Sequence, residues 1–152
     1  MNKRVAMSEL FPVIHEAISR GSDVSITVTG TSMLPLLHSE SDTALLTGVR
    51  GRLNKYDLAF YRRADGSFVL HRVVKVTPEG YIMCGDNQVV TEHGITDENI
   101  IAVVKGFTRG GKKYNASNRL YRLYSVIWTN LRPLRRGYRG FRRRIARLGK
   151  ST

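Results

Sequence analysis

Between Val24 and Phe107 the apolar residues come in short runs with a period of two, and this restricts the chain to strands over most of its length. Val24, Ile26 and Val28 alternate with Ser25, Thr27 and Thr29, the signature of a half-buried strand. Further runs cover 43–49, 56–62, 67–77, 80–84 and 100–107, each bounded by glycine, proline or polar residues, and Asp65-Gly66 reads as a hairpin turn. Short strands at close spacing, with no long helix between them, predict a mainly β, compact antiparallel body rather than an α/β fold.

The flanks differ. Leu10, Phe11, Ile14, Ala17 and Ile18 fall at helical spacing in 8–20, with Ser8 placed as N-cap, Pro12 in the first turn and Gly21 as a stop. Leu120, Leu123, Tyr124, Ile127, Trp128 and Leu131 mark a second helical face, which Pro133 ends or kinks. The chain therefore divides into an N-terminal amphipathic helix (1–22), a β domain (23–108) and a basic, partly helical, aromatic tail (109–152), with the boundary in the glycine- and lysine-rich stretch 108–113.

Charge follows the same division. All twelve acidic residues lie in 1–98 beside ten Lys/Arg, whereas 99–152 hold fifteen Lys/Arg and no acid. Such a tail is attracted to anionic surfaces, either lipid headgroups or nucleic acid. No apolar run approaches the roughly eighteen residues needed to span a bilayer, and the N-terminus lacks a signal-peptide pattern. The expectation is a cytoplasmic protein, peripheral on the inner face of the cell membrane if the tail binds lipid. Cys84 is the sole cysteine, and His15, His38 and His93 show no ligand spacing with it, so neither a disulfide nor a metal or other cofactor is expected.

Three places carry groups suited to chemistry. Ser32 follows the first strand in a turn containing Gly30 and Pro35, where backbone amides can converge on one point. A serine hydroxyl needs a base, and neutral imidazole is the side chain best matched to that task near neutral pH. His71 supplies one on the face of a strand shared with Val69 and Val73. A base works better when a third group fixes its ring. Asp86, in the Gly85-Asp86-Asn87 turn, and Glu92 are the two carboxylates available, and spacing does not rank them.

Taken together, these residues resemble the signal peptidase I clan of serine peptidases, which includes the self-cleaving repressors. Gly30-Thr31-Ser32-Met33-Leu34-Pro35 is similar to the clan's nucleophile box, and Lys55-Tyr56-Asp57-Leu58-Ala59-Phe60 to the run that opens a strand. Val69-Leu70-His71-Arg72-Val73-Val74 resembles the base-bearing strand, and Gly85-Asp86-Asn87 the closing Gly-Asp-Asn box. Histidine in place of the commoner lysine resembles the endoplasmic-reticulum and archaeal branch, in which a second acid beyond the closing box orients the histidine, near where Glu92 falls.

The resemblance, covering 24–107, implies a signal-peptidase/repressor-type β body. It also implies a serine endopeptidase with catalytic Ser32, His71 and Asp86 or Glu92, and substrate contacts at Gly30, Met33 and Pro35. An extended leader or precursor peptide would lie beside a strand. The alternatives are a self-cleaving or peptide-binding regulator on the same fold, and a nucleic-acid binder acting through the Arg-rich tail, whose Trp128, Tyr138 and Phe141 would otherwise sit at lipid headgroup level.

Overall fold

The computed structural model describes residues 6–138. The protein is mainly β. An N-terminal helix α1 (Met7–Ser19) is followed by β1 (Val24–Thr27), β2 (Thr43–Thr47), β3 (Leu58–Arg62), β4 (Phe68–Thr77), β5 (Gly80–Cys84), β6 (Glu92–Ile95), β7 (Ile100–Arg109) and β8 (Lys112–Asn115), and then by helix α2 (Arg119–Asn130). All pairings are antiparallel. The eight strands form one sheet in the order β1-β2-β7-β3-β4-β5-β6, with β8 added to β7.

Strand β3 explains how so short a sheet encloses a core. Leu58, Ala59, Phe60 and Tyr61 are all buried, so this central strand is covered on both faces. Leu58 and Phe60 join Ile26, Met33, Leu46, Val104 and Phe107 on one side. Ala59 and Tyr61 join Val73, Tyr81, Met83 and Ile95 on the other. Alternation in β4, paired with β3 in register Ala59↔His71, then assigns His71 to the Tyr61 face and Arg72 to the opposite one. The register of this pair therefore decides where both polar side chains go.

Six predicted strands are present, with ends shifted by at most two residues. Two more strands escaped the periodicity. β6 is Glu-His-Gly-Ile and β8 is Lys-Lys-Tyr-Asn, neither of them apolar in alternation. The stretch expected as a domain boundary is instead a tight hairpin: β7 runs to Arg109, and Gly110 and Gly111 both take positive φ (53° and 78°) before β8 turns back. The exposed lysines of β8 suit an edge that must not pair further.

Helix α1 begins one residue earlier than expected. Ala6 occupies the N-cap with no side-chain bond, Ser8 lies inside the helix, and Pro12 falls in the second turn, where it removes the amide that would bond the Ser8 carbonyl. Packing rather than capping holds the helix: Ile14 is buried, and the Phe11 ring meets Phe68 at 5.1 Å between centroids. Past α2, the chain turns at Leu131 and is helical again from 132 to 138, with Pro133 in the first turn, where its missing amide costs nothing. Phe141 and the remaining tail residues lie outside the described residues.

Gly80 is the tightest point of the β5–β6 region. Its φ is +153°, and a Cβ there would stand 2.2 Å from the Ile95 carbonyl oxygen. Gly80→Ala is expected to destabilise the fold by about 2 kcal/mol or more. The check is a lowered urea midpoint with unchanged slope.

Candidate active site

Ser32 stands in a succession of turns directly after β1, and buried neighbours fix that loop. Met33, Leu36 and Leu37 drive into the core, and the Leu37 amide bonds the Met33 carbonyl at 3.0 Å. The 85–87 turn closes over it. Asn87 N donates to the Ser32 carbonyl at 2.8 Å, and Asn87 Nδ2 donates to the Thr31 carbonyl at 3.1 Å. Gly85 lies between serine and histidine: a Cβ on it would be 2.6 Å from the Ser32 carbonyl oxygen and 3.1 Å from His71 Nε2. The Ser32 main chain and the Nε2 edge of the imidazole therefore meet at one point, and only glycine leaves that point open.

The other ring nitrogen is held by a relay. Tyr61 Oη lies 3.1 Å from His71 Nδ1 and donates to Glu92 Oε2 at 2.9 Å, while Nδ1 is 3.8 Å from that same carboxylate oxygen. Arg63 grips Glu92 with Nε on Oε1 at 2.7 Å and Nη2 on Oε2 at 2.8 Å. These bonds settle the tautomer. A phenol has one proton, and an ionised carboxylate only accepts, so that proton goes to Glu92. Tyr61 oxygen must then accept from Nδ1–H, which leaves the Nε2 lone pair directed at the serine loop.

The electrostatics agree with this assignment. Arg63, through its hydrogen bonds, holds the Glu92 carboxyl below its ordinary range against the opposing effect of burial. Burial, reinforced by Glu92, pushes the Tyr61 phenol well above its usual value. Burial also lowers His71 from 6.5 to about 4, with Glu92 pulling the other way. The imidazole is therefore neutral at neutral pH and able to accept a proton.

Of the two carboxylates considered from sequence, Glu92 faces the imidazole, whereas both oxygens of Asp86 serve Arg72. Arg72 Nε and Nη2 each meet an Asp86 oxygen at 2.7 Å, with the two side chains 1% and 2% exposed. Tyr124 Oη donates to the same carboxylate at 3.2 Å. Arg72 Nη1 reaches Ser125 Oγ at 2.8 Å and the Tyr56 carbonyl at 3.0 Å. Asp86's own carbonyl accepts from Trp128 Nε1 at 2.8 Å and Arg135 Nη1 at 2.6 Å. Thus α2 and the turn of helix after it are not a loose tail. They clamp the turn that holds Ser32.

Ser32 and His71 share a cavity of about 280 Å³, whose walls include Ile26 to Thr29, Phe60 and Phe68 to Leu70. Met33 lines it; Gly30 and Pro35, the other two expected substrate contacts, are exposed and take no part in its wall. Two open strand edges border this space. β1 pairs only with β2, and β5 meets β4 only from Arg72 onward, so 68–71 have a free edge. Val73 N and O bond toward Asp57 and Tyr56, on the β3 side. By alternation, the amide and carbonyl of Leu70 face away from β3, toward the open edge. Tyr61, Arg63 and the α2 clamp were not identified from sequence: a tyrosine in an apolar strand reads as core, and the partners lie 10 to 53 residues from their targets along the chain.

Two outcomes follow for stability. The unfolded chain protonates His71 near 6.5 and the folded one near 4, so the unfolded state binds the extra proton as pH falls between those values and the fold weakens. The loss attributable to His71 should approach about 3 kcal/mol by pH 4. Urea unfolding of wild type and His71→Gln across that range should show the variant losing less. Arg72→Met strands a buried carboxylate and should cost about 3–5 kcal/mol, whereas the double variant Arg72→Met/Asp86→Leu should recover a substantial part of it.

Compared with protein-family models, with curated proteins and with solved structures, the chain gives no match.

Proposed function

We infer that the chain is a serine endopeptidase of the signal-peptidase type that cuts a leader or precursor peptide with the Ser32/His71 pair. The observation that carries this reading is the fixed tautomer of His71, whose free Nε2 points at the loop bearing Ser32. An imidazole held only for packing has no need of a relay to an arginine-bound carboxylate. Among the described residues the Ser32 hydroxyl and the amides of Ser32 and Met33 make no hydrogen bond, so they remain available to a substrate.

In this reading an extended peptide pairs with an open strand edge, its carbonyl carbon above Ser32. Oγ attacks while Nε2 takes its proton, and the bond forming at carbon moves the carbonyl electron pair onto oxygen, where backbone amides of the loop stabilise it. The tetrahedral intermediate expels the amine, which leaves with the proton from Nε2. Water, deprotonated by the same nitrogen, then releases the acyl group and restores Ser32. During both steps the imidazolium is stabilised through Nδ1–H, Tyr61 and Glu92. Glu92 is the orienter, and Asp86 contributes by holding the 85–87 turn.

Labelling with a fluorophosphonate, read by mass spectrometry, should place the tag on Ser32. Ser32→Ala should abolish labelling and His71→Ala should slow it by about a hundredfold or more, with both variants folded. A tag on another serine, or equal labelling of the alanine variant, overturns the proposal. Incubating the purified chain alone would reveal self-cleavage, the mark of the regulator alternative.

The rate should also report the buried histidine. Activity requires neutral imidazole, so kcat/KM in the free protein should hold as pH falls below 6.5 and decline only as pH approaches about 4. Glu92→Gln and Tyr61→Phe should each lower kcat by about tenfold or more while leaving KM nearly unchanged.

A further inference from the structure

We propose that the outward face of the C-terminal helical segment, residues 119–138, docks on an anionic lipid surface. This goes beyond the peptidase reading and does not rest on it. The inward face of the segment is polar for a helix packed on a core: Ser125 and Thr129 are buried, and Tyr124 and Trp128 point their polar groups at Asp86. The apolar residues face solvent instead. Leu120 is 77% exposed, Leu123 55%, Ile127 48%, Leu134 70% and Tyr138 63%. They recur at intervals of three and four along with Leu131, and Leu131, Leu134 and Tyr138 border one apolar depression. A helix usually buries its apolar stripe; this one spends its other face on the Arg72–Asp86 pair and leaves the stripe uncovered.

Charge selects the occupant. Arg119, Arg122 and Arg136 are exposed on the same segment, and no acidic residue occurs from 99 to the end of the chain. A second copy seated on this face would set arginines against arginines. Nucleic acid would satisfy the arginines but offers no apolar phase for Leu120, Leu123, Ile127 and Leu134. Anionic lipid provides both, with acyl chains under the stripe and phosphates at the guanidinium groups. Trp128, expected from sequence at headgroup level, is turned inward: it stacks on Tyr124 at 5.9 Å and lies under Arg135 at 4.2 Å.

The test is co-sedimentation of the full chain with phosphatidylcholine vesicles, with and without phosphatidylglycerol, together with light scattering of the protein alone. Wild type should bind the phosphatidylglycerol vesicles at least about tenfold more tightly than the neutral ones, and less tightly as salt rises. Leu123→Gln/Ile127→Gln/Leu134→Gln keeps every charge and alters only exposed side chains, so its melting temperature should stay near that of wild type. It should lose about tenfold or more in vesicle affinity. Wild-type-like binding by this variant would mean attraction by charge alone and would overturn the proposal. So would failure of wild type to bind, or a dimer in light scattering that the variant dissolves.

Discussion

The buried pair between Arg72 and Asp86 is the constraint on which the remaining architecture rests. Two charges removed from water cost more than their attraction returns unless every hydrogen-bonding position is filled. Here the guanidinium spends its donors on Asp86, Ser125, the Tyr56 carbonyl and Tyr121, and two tyrosine rings lie about it. Those partners come from three distant parts of the chain. The pair thus joins β4, the loop before β3 and the C-terminal helix, and through Asp86 it holds the turn whose Asn87 fixes the main chain of Ser32. A solvent-exposed version would exert no such hold, because water would compete for each bond.

On the other face of the same strand a second charged group is arranged differently. Glu92 is about a quarter exposed, its charge is balanced by Arg63 at the surface, and its influence reaches His71 through a phenol rather than by direct contact. The phenol passes orientation without passing full charge. Burial dominates the imidazole and keeps it unprotonated, while the carboxylate remains near enough to favour the cation when a proton arrives. Two carboxylates close in sequence, each paired with an arginine, are thus set apart by burial and by the imidazole beside Glu92.

Much of this was legible from sequence. Period-two runs located six strands because half-buried antiparallel strands must alternate, whereas Ser32, His71 and Gly85-Asp86-Asn87 were singled out chiefly by the resemblance that their boxes carry together. Two strands were invisible because β6 and β8 are four residues each and mostly polar, with Ile95 and Tyr114 as their only large apolar side chains, too few to set a period. Choosing Glu92 over Asp86 required the β5–β6 pairing, in which Met83 faces Glu92, and nothing in the spacing announces that contact. The second helix was located by its periodicity, but the inward turn of Tyr124 and Trp128 toward Asp86 was not. Apolar periodicity marks the face that would prefer to leave water, and in α2 the buried face is chosen by hydrogen bonds to an ion pair instead.

Adjacent placement of His71 and Arg72 ties these two environments together. Successive side chains of a strand emerge on opposite faces, so sliding β4 by a single position against β3 would send the guanidinium toward Tyr61 and Glu92 and thrust the imidazole into the socket lined by Tyr121 and Ser125. Neither side chain would find a complement there. The dipeptide thus acts as a key cut on both edges, admitting one alignment of the two strands and rejecting its nearest competitor.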